Sequence, residues 1–450
     1  MVTGRLILPL TLLVVCAMTA LPCAADSIWD YEAVDSIGFG THPKVNADAN
    51  DPDNKVTIEG VALAGSSEIL DPNGPVGFGA QYTVFVQDDI SDRGGMQAWA
   101  GSWFYGEIMW PMVRQSDYID FSAGDRLRIT GFLMDAGRGK VVINHRHSNN
   151  PDLVFHVELI GHPGLPDPVL IPSVSCCNYL DQTRAGGGEL YQTRYVMLHG
   201  VDVTSGAWAN GSTLTVADET GSVAMLLSVL GDFGDHDPPQ GKISVVGIFD
   251  QEDTTSPYTG DYRLWVKRQA DVALALDCCR RVRSHDAGET VALAGKVVSR
   301  AYPGCFYVQD EGRSGGVRVV SSRSVAPGDV VCVLGPVTDT GGEKAVTPTY
   351  LIVQAGSAPK PLGVTSRELW REEGLDVHGL LVRCVCKVGQ DQGGGVYSLL
   401  DDAGKTIYVQ TNGTSLPGSG TRVAINAVAS EANGSPLLLL AGASDVEPLN

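Results

Sequence analysis

Two histidines spaced for one side of a β-strand, His145 and His147, with His156 further along, come nearest to a metal-ligand set in this 450-residue chain. Residues i and i+2 share a strand face, which suits two imidazoles to one cation. Two ligands do not make a dedicated site, so the pair reads as a polar strand end and no metal is expected. Asn46-Ala47-Asp48-Ala49-Asn50 has the alternating oxygen donors of a calcium loop. Asp51 stands where such a loop needs glycine and Thr57 where it needs a glutamate, so a solvated acidic loop is expected. The stretch from Gly234 to Lys242 superficially suggests a phosphate loop. Its glycine spacing is wrong, and Ile243 replaces the metal-binding Ser or Thr. Gly312-Arg313-Ser314-Gly315-Gly316 spells G-x-S-x-G, but it falls in the turn of an alternating hairpin and not at a strand-to-helix elbow; no H-E-x-x-H helix occurs, and nothing in the spacing of Ser, His and Asp forms a triad. A non-enzymatic chain without a cofactor is therefore expected.

Compartment and charge narrow the partners. A short positive start ending at Arg5, an apolar run from Leu6 to Leu21, and Cys23-Ala24-Ala25 before Asp26 form a signal peptide over residues 1–25. A secreted, periplasmic or cell-envelope location is expected, with no membrane span after cleavage. The formal charge of −20 makes this an acidic protein and disfavours global attraction to nucleic acid or anionic lipid. Eight cysteines lie beyond the signal: Cys176, Cys177, Cys278, Cys279, Cys305, Cys332, Cys384 and Cys386. In an exported chain disulfides are the default reading, with buried free thiols the alternative. A link between the vicinal pairs Cys176-Cys177 and Cys278-Cys279 would tie together the ends of one unit, but spacing leaves connectivity open.

The elements that position any site come from a repeat. FYVQDEGRSGGVRV, beginning at Phe306, writes the same hairpin as VFVQDDISDRGGMQAW, beginning at Val84. Each hairpin follows a strand with glycine (VTIEGVALAG from Val56, VALAGKVVS from Val291) and precedes a turn and strand (GDRLRITG from Gly124, GDVVCVLG from Gly328). A last strand follows, KVVINHR from Lys140 or AVTPTYLIV from Ala345. Two looser copies begin at Tyr195 and Leu380, and the connecting segments LPDPVLIPS and APKPLGVTS also rhyme. The chain thus reads as a duplicated two-unit block. Alternation places Phe306 and Val308 inward and Tyr307 and Gln309 outward.

This strand order resembles the OB-fold, and the FYVQD, GGVRV and GDxVxVxG segments are similar to OB-type repeats of secreted bacterial proteins. The resemblance covers most of residues 45–450. It implies an all-β chain of four tandem OB-fold-like five-stranded barrels arranged as two similar pairs, with a short linker helix. The expected organisation is an acidic leader (26–55, draped on the first barrel), unit one (56–164), a linker (165–194), unit two (195–277), unit three (278–357), a linker (358–379) and unit four (380–450). Thr365 and Glu368 form a capping box for the linker helix, which Gly374 ends. Immunoglobulin-like sandwiches would need about seven strands per unit, which are not found.

Such barrels use the outer face of strands two and three to bind oligonucleotides or sugars. Here that face would show Phe85, Gln87 and Gln97 beside Trp99 in unit one, and Tyr307, Gln309 and Arg318 in unit three. An aromatic ring next to an amide or guanidinium suits stacking of a base or sugar. Packing against a neighbouring barrel is the competing use of the same face. Units two and four place Thr215 and Ala217, or Ser398 and Leu400, there and read as structural spacers. Residues 278–335 carry eight Lys/Arg against five Asp/Glu, which would suit a polyanion. The aromatic insertion WAGSWFYGEIMW, residues 99–110 and including Trp103, would suit a sugar, a protein contact or a lid over the barrel end. The reading is a secreted, non-catalytic binding or scaffolding protein for an extracellular or envelope polymer or protein. Its alternatives are single-stranded nucleic-acid or polyanion binding at unit three and oligosaccharide binding at unit one.

Overall fold

A computed structural model describes residues 27–66, 68, 70–71, 81–89, 94–100, 120–144, 155–371, 375–432 and 434–449. The signal segment, Trp103, His145, His147 and Gly374 lie outside the described residues. Valine-rich alternating runs form the strands, which group into sheets of 7, 13 and 7 strands.

Within them one circuit of pairings recurs. In the third unit strand one (Thr290–Tyr302) pairs antiparallel with strand two (Cys305–Gln309), and strand two with strand three (Gly316–Val320). Strand three runs parallel to strand five (Glu343–Val346), which pairs with strand four (Val330–Thr340). Strand four returns to strand one and closes the barrel. The same circuit closes in the first unit, the second and the fourth. This order, with its parallel contact between strands three and five, is that of an OB-like barrel. The 13-stranded sheet holds the second and third circuits, joined by Val272–Ala275.

Each five-stranded circuit carries one addition. A sixth strand pairs antiparallel with the first half of strand four in every unit: His156–Gly161, Val272–Ala275, Tyr350–Gln354 and Val446–Pro448. The run AVTPTYLIV is therefore two strands, broken around Pro348, which lacks an amide hydrogen for a ladder. Strand five covers only the second half of long strand four, so the sixth strand covers the edge left open.

Register follows the alternation. Phe306 and Val308 lie in the core of barrel three with Val317, Val333 and Val346. Tyr307 is buried as well, but outside that core. A short helix before strand one plugs each barrel. The leader is not merely draped, because Ile28 and Tyr31 of Ile28–Tyr31 enter the core of barrel one. The plugs Val174–Cys176, Cys279–Ser284 and Ser366–Leu369 are docked by the aspartate at the end of strand two. Asp218 accepts the Val174 amide at 2.9 Å, Asp310 the Cys279 amide at 3.1 Å and Asp401 the Ser366 amide at 2.5 Å. The capping box of the last helix forms as expected, and the helix ends at Leu369.

All eight described cysteines are free thiols, which corrects the disulfide default. The proposed link between vicinal pairs is absent because Cys177 points into the core of barrel two and Cys279 into that of barrel three. Burial pushes the Cys177 thiol up to about 12, far from the reactive thiolate range.

Candidate functional site at the barrel joints

The outer row expected to meet a ligand meets protein. Phe85 stands opposite Gln97 and Tyr307 opposite Arg318, as the hairpin register requires. Phe85 is 1% exposed and packs edge-on against Trp265 of barrel two, with ring centroids 5.4 Å apart. Tyr307 is fully buried against barrel four. Gln87 Oε1 accepts the Tyr195 amide at 2.9 Å, and Gln309 Oε1 accepts the Leu381 amide at 3.0 Å. Tyr195 and Leu381 open strand one of barrels two and four. Gln97 is also buried, and Arg318 is part-buried. Trp99 pairs through its backbone with Thr83 and Asn144, and its side chain is not described. The stacking role expected of Phe85 and Tyr307 thus gives way to the packing role, because each pair of barrels must cover an outward apolar ring.

The two joints are one joint written twice. A Cβ at Gly95 would overlap the Thr193 carbonyl, and one at Gly316 would overlap that of Gly379. The Thr193 amide donates to Phe249 O at 2.8 Å, and the Gly379 amide to Ala429 O at 2.6 Å. Only the charged centre differs. Lys140 and Glu343 hold the same place, two residues ahead of the first strand-five residue paired with strand three (Val142 with Gln97, Ala345 with Arg318). Asp250 and Ser430 likewise match through the register of strands one and four.

In the first joint Lys140 Nζ lies 2.7 Å from Asp250 and 3.1 Å from Glu252, and Arg263 reaches the same two carboxylates at 2.8 and 3.0 Å. Burial alone would raise the Asp250 carboxyl, but the charges of Lys140 and Arg263 outweigh it and hold the group below its usual range. In the second joint Glu343 accepts the Tyr307 hydroxyl at 2.6 Å, lies 2.9 Å from His378 Nε2, and receives Ser430 Oγ at 3.4 Å. Burial first, then the carboxylate, raise the Tyr307 phenol above its ordinary value. Arg371 Nη2 is 3.2 Å from His378 Nδ1. A guanidinium only donates, so Nδ1 accepts and the Nε2 proton faces Glu343. A cleft of about 190 Å³ beside this centre is lined by Trp370, Arg371, His378, Ser430, Glu431 and Pro436. Both imidazole nitrogens are committed to other partners, and Ser430 bonds Glu343 and Tyr307. The centre therefore ties the two barrels of the joint together.

The basic excess of the third unit is largely neutralised. Arg281 pairs with Asp277 at 3.4 Å, Arg283 with Asp376 at 2.5 Å, Lys296 with Asp310 at 2.7 Å and Arg300 with Asp445 at 2.8 Å. Arg323 pairs with Asp167. His156 is exposed on the sixth strand of unit one, and among the described residues no group of three or more His, Cys, Asp or Glu is placed to hold a metal. Asp48 accepts the Asn50 amide and Asp51 the Asp53 amide within their own loop.

Sequence reasoning missed Lys140, Asp250, Glu343, His378 and Ser430. The available signal was a charged or polar residue at the margin of an apolar strand, such as Asp250 ending ISVVGIFD.

No family model matches the chain, and no curated protein matches it. Among solved structures it is similar to the hypothetical protein ygiW from E. coli at 20% identity, covering 17% of this chain and 85% of that one, with a TM-score of 0.15. It is similar to the tetrameric p202 HIN2 at 13% identity, covering 36% and 94%, with a TM-score of 0.21. It is also similar to a replication protein A heterotrimer bound to ssDNA at 8% identity, covering 57% and 94%, with a TM-score of 0.15. At scores of this size the fold assignment rests on the strand pairings alone.

Proposed function

We propose that this chain is an exported, non-catalytic scaffold that holds four OB-like barrels in fixed relation and presents the faces that remain open to an extracellular or envelope polymer or protein. The observation that carries this reading is the repeated joint. In both blocks the outer face of strands two and three closes on the next barrel through the same glutamine-to-amide bond. Binding therefore falls to barrels two and four, whose matching faces the sequence had read as spacers. On barrel four Ser398 faces Tyr408 across the strands, and Leu400, 46% exposed, faces Lys387. A part-exposed tyrosine beside a lysine and an exposed leucine suits a polymer or a protein segment.

The test is a screen of residues 26–450 against glycan arrays, single-stranded oligonucleotides at two salt concentrations, and envelope polymers. Binding that weakens on Tyr408→Ala and persists in Arg318→Ala supports the reading. Salt-dependent oligonucleotide binding lost in Arg318→Ala would overturn it in favour of a nucleic-acid site on unit three. Export is checked by fusing residues 1–25 to a reporter enzyme and measuring its activity outside the cytoplasm.

A further inference from the structure

Barrel three carries a second cleft, of about 470 Å³, away from the charged centre of its joint. Its apolar surface comes from Val297, Val330 and Pro359, and its rim carries Arg313, Lys360 and Glu311. Among the described residues neither Arg313 nor Lys360 forms an ion pair; the Arg313 guanidinium donates to the Lys360 carbonyl at 3.0 Å. Most cations of this unit have a carboxylate partner, so two without one at a single cleft stand out in a chain of net charge −20.

Barrel one shows what makes the space. Val297 pairs with Val330 as Val61 pairs with Arg126, so Val330 holds the place of Arg126. In barrel one Arg126 lies 3.4 Å from Glu59 and 3.6 Å from Asp89, a self-neutralised arrangement. In barrel three the arginine is a valine, and a bulge sets Ala294 and Gly295 against one residue of strand four where barrel one carries Glu59. Gly295, at φ +65°, lines the cleft and meets no neighbour where its Cβ would stand. Of the three groups, only Glu311, at the place of Asp89, keeps its charge.

We propose that this cleft binds a small organic anion, a carboxylate or phosphate monoester carried on a compact apolar body, with Arg313 and Lys360 on the anion and Val297, Val330 and Pro359 against the body. The volume lies within the range of small-molecule sites, and a guanidinium beside an ammonium recognises either head group.

The experiment is calorimetric titration of residues 26–450 with phenyl phosphate, benzoate, inorganic phosphate and benzyl alcohol, with amide shifts of Gly295 and Ser357 locating the site. Saturable binding of phenyl phosphate or benzoate is expected, with inorganic phosphate and benzyl alcohol each at least about tenfold weaker. Arg313→Ala with Lys360→Ala, both at the rim, should weaken the anions by about tenfold or more while leaving the melting temperature unchanged. Val330→Arg, which restores the barrel-one arrangement, should abolish binding. The proposal is overturned if neither aromatic anion saturates below about 10 mM, if benzyl alcohol binds equally well, or if the double alanine variant binds as the parent does.

Discussion

Asp310 concentrates several duties in one carboxylate. It docks the plug helix through the Cys279 amide, accepts Ser314 Oγ at 2.7 Å and neutralises Lys296, and both charged side chains are under a tenth exposed. Removing one member of a buried pair strands the other charge. Asp310→Ala is therefore expected to lower stability by about 3 kcal/mol in urea unfolding. Adding Lys296→Met should recover much of that loss, and no recovery would mean that the ion pair is not the main role. Glu189 offers a second test at this scale. Its carboxyl is buried behind the Tyr262 hydroxyl, which donates to it at 2.9 Å, and burial pushes it up to about 7 from an ordinary 4.5. Between those values the folded state keeps a proton that the unfolded chain has released, so stability falls as pH rises through the window. Glu189→Gln keeps an acceptor for Tyr262 and removes the titration. Melts at pH 5 and pH 8 should show the parent losing on the order of 3 kcal/mol relative to the variant, and parallel curves would refute the assignment.

Among the elements, the hairpins were legible because turn residues and alternation agree. Gly315 and Gly316 close the hairpin after FYVQD, and Phe306 and Val308 point where period two sends them. The sixth strand was not legible: Pro348 marks a break within AVTPTYLIV, but only the open edge of strand four explains why a second paired strand follows it. The joint glycines were hidden for a related reason. Gly316 reads as a turn residue, yet its lack of a side chain also serves close approach to the Gly379 carbonyl of the next segment. Gly316→Ala must push backbone against backbone and is expected to cost about 2 kcal/mol. Gly312→Ala, four residues away with open space around it, should fall within about 0.5 kcal/mol of the parent. Equal effects in thermal melts would remove the close-approach argument.

For the whole molecule, one apolar cluster draws on three barrels: Leu63 and Phe85 from the first, Tyr195 and Trp265 from the second, and Leu334 and Tyr350 from the third. Tyr195 and Tyr350 hydroxyls meet at 2.7 Å, and the Tyr350 hydroxyl donates to Asp271 at 2.6 Å. Barrel four joins this array through Gln309 and the Glu343 centre instead. Gln87→Leu with Gln309→Leu, which remove the acceptor from both latches, should enlarge the radius of gyration by X-ray scattering while strand content by circular dichroism stays constant. An unchanged radius would show that apolar packing alone fixes the joints. What the sequence determined by itself was the repeated barrel: period-two burial, glycine turns and the capped linker helix are local patterns, each dictated by residues within a few positions. Which outward face would be covered, and by what, only the tertiary structure decided. Phe85 and Tyr307 carry the same local signal whether a ligand or a barrel lies above them, and the next barrel's atoms over them come from residues more than a hundred positions along the chain, Trp265 for Phe85 and Ser430 for Tyr307.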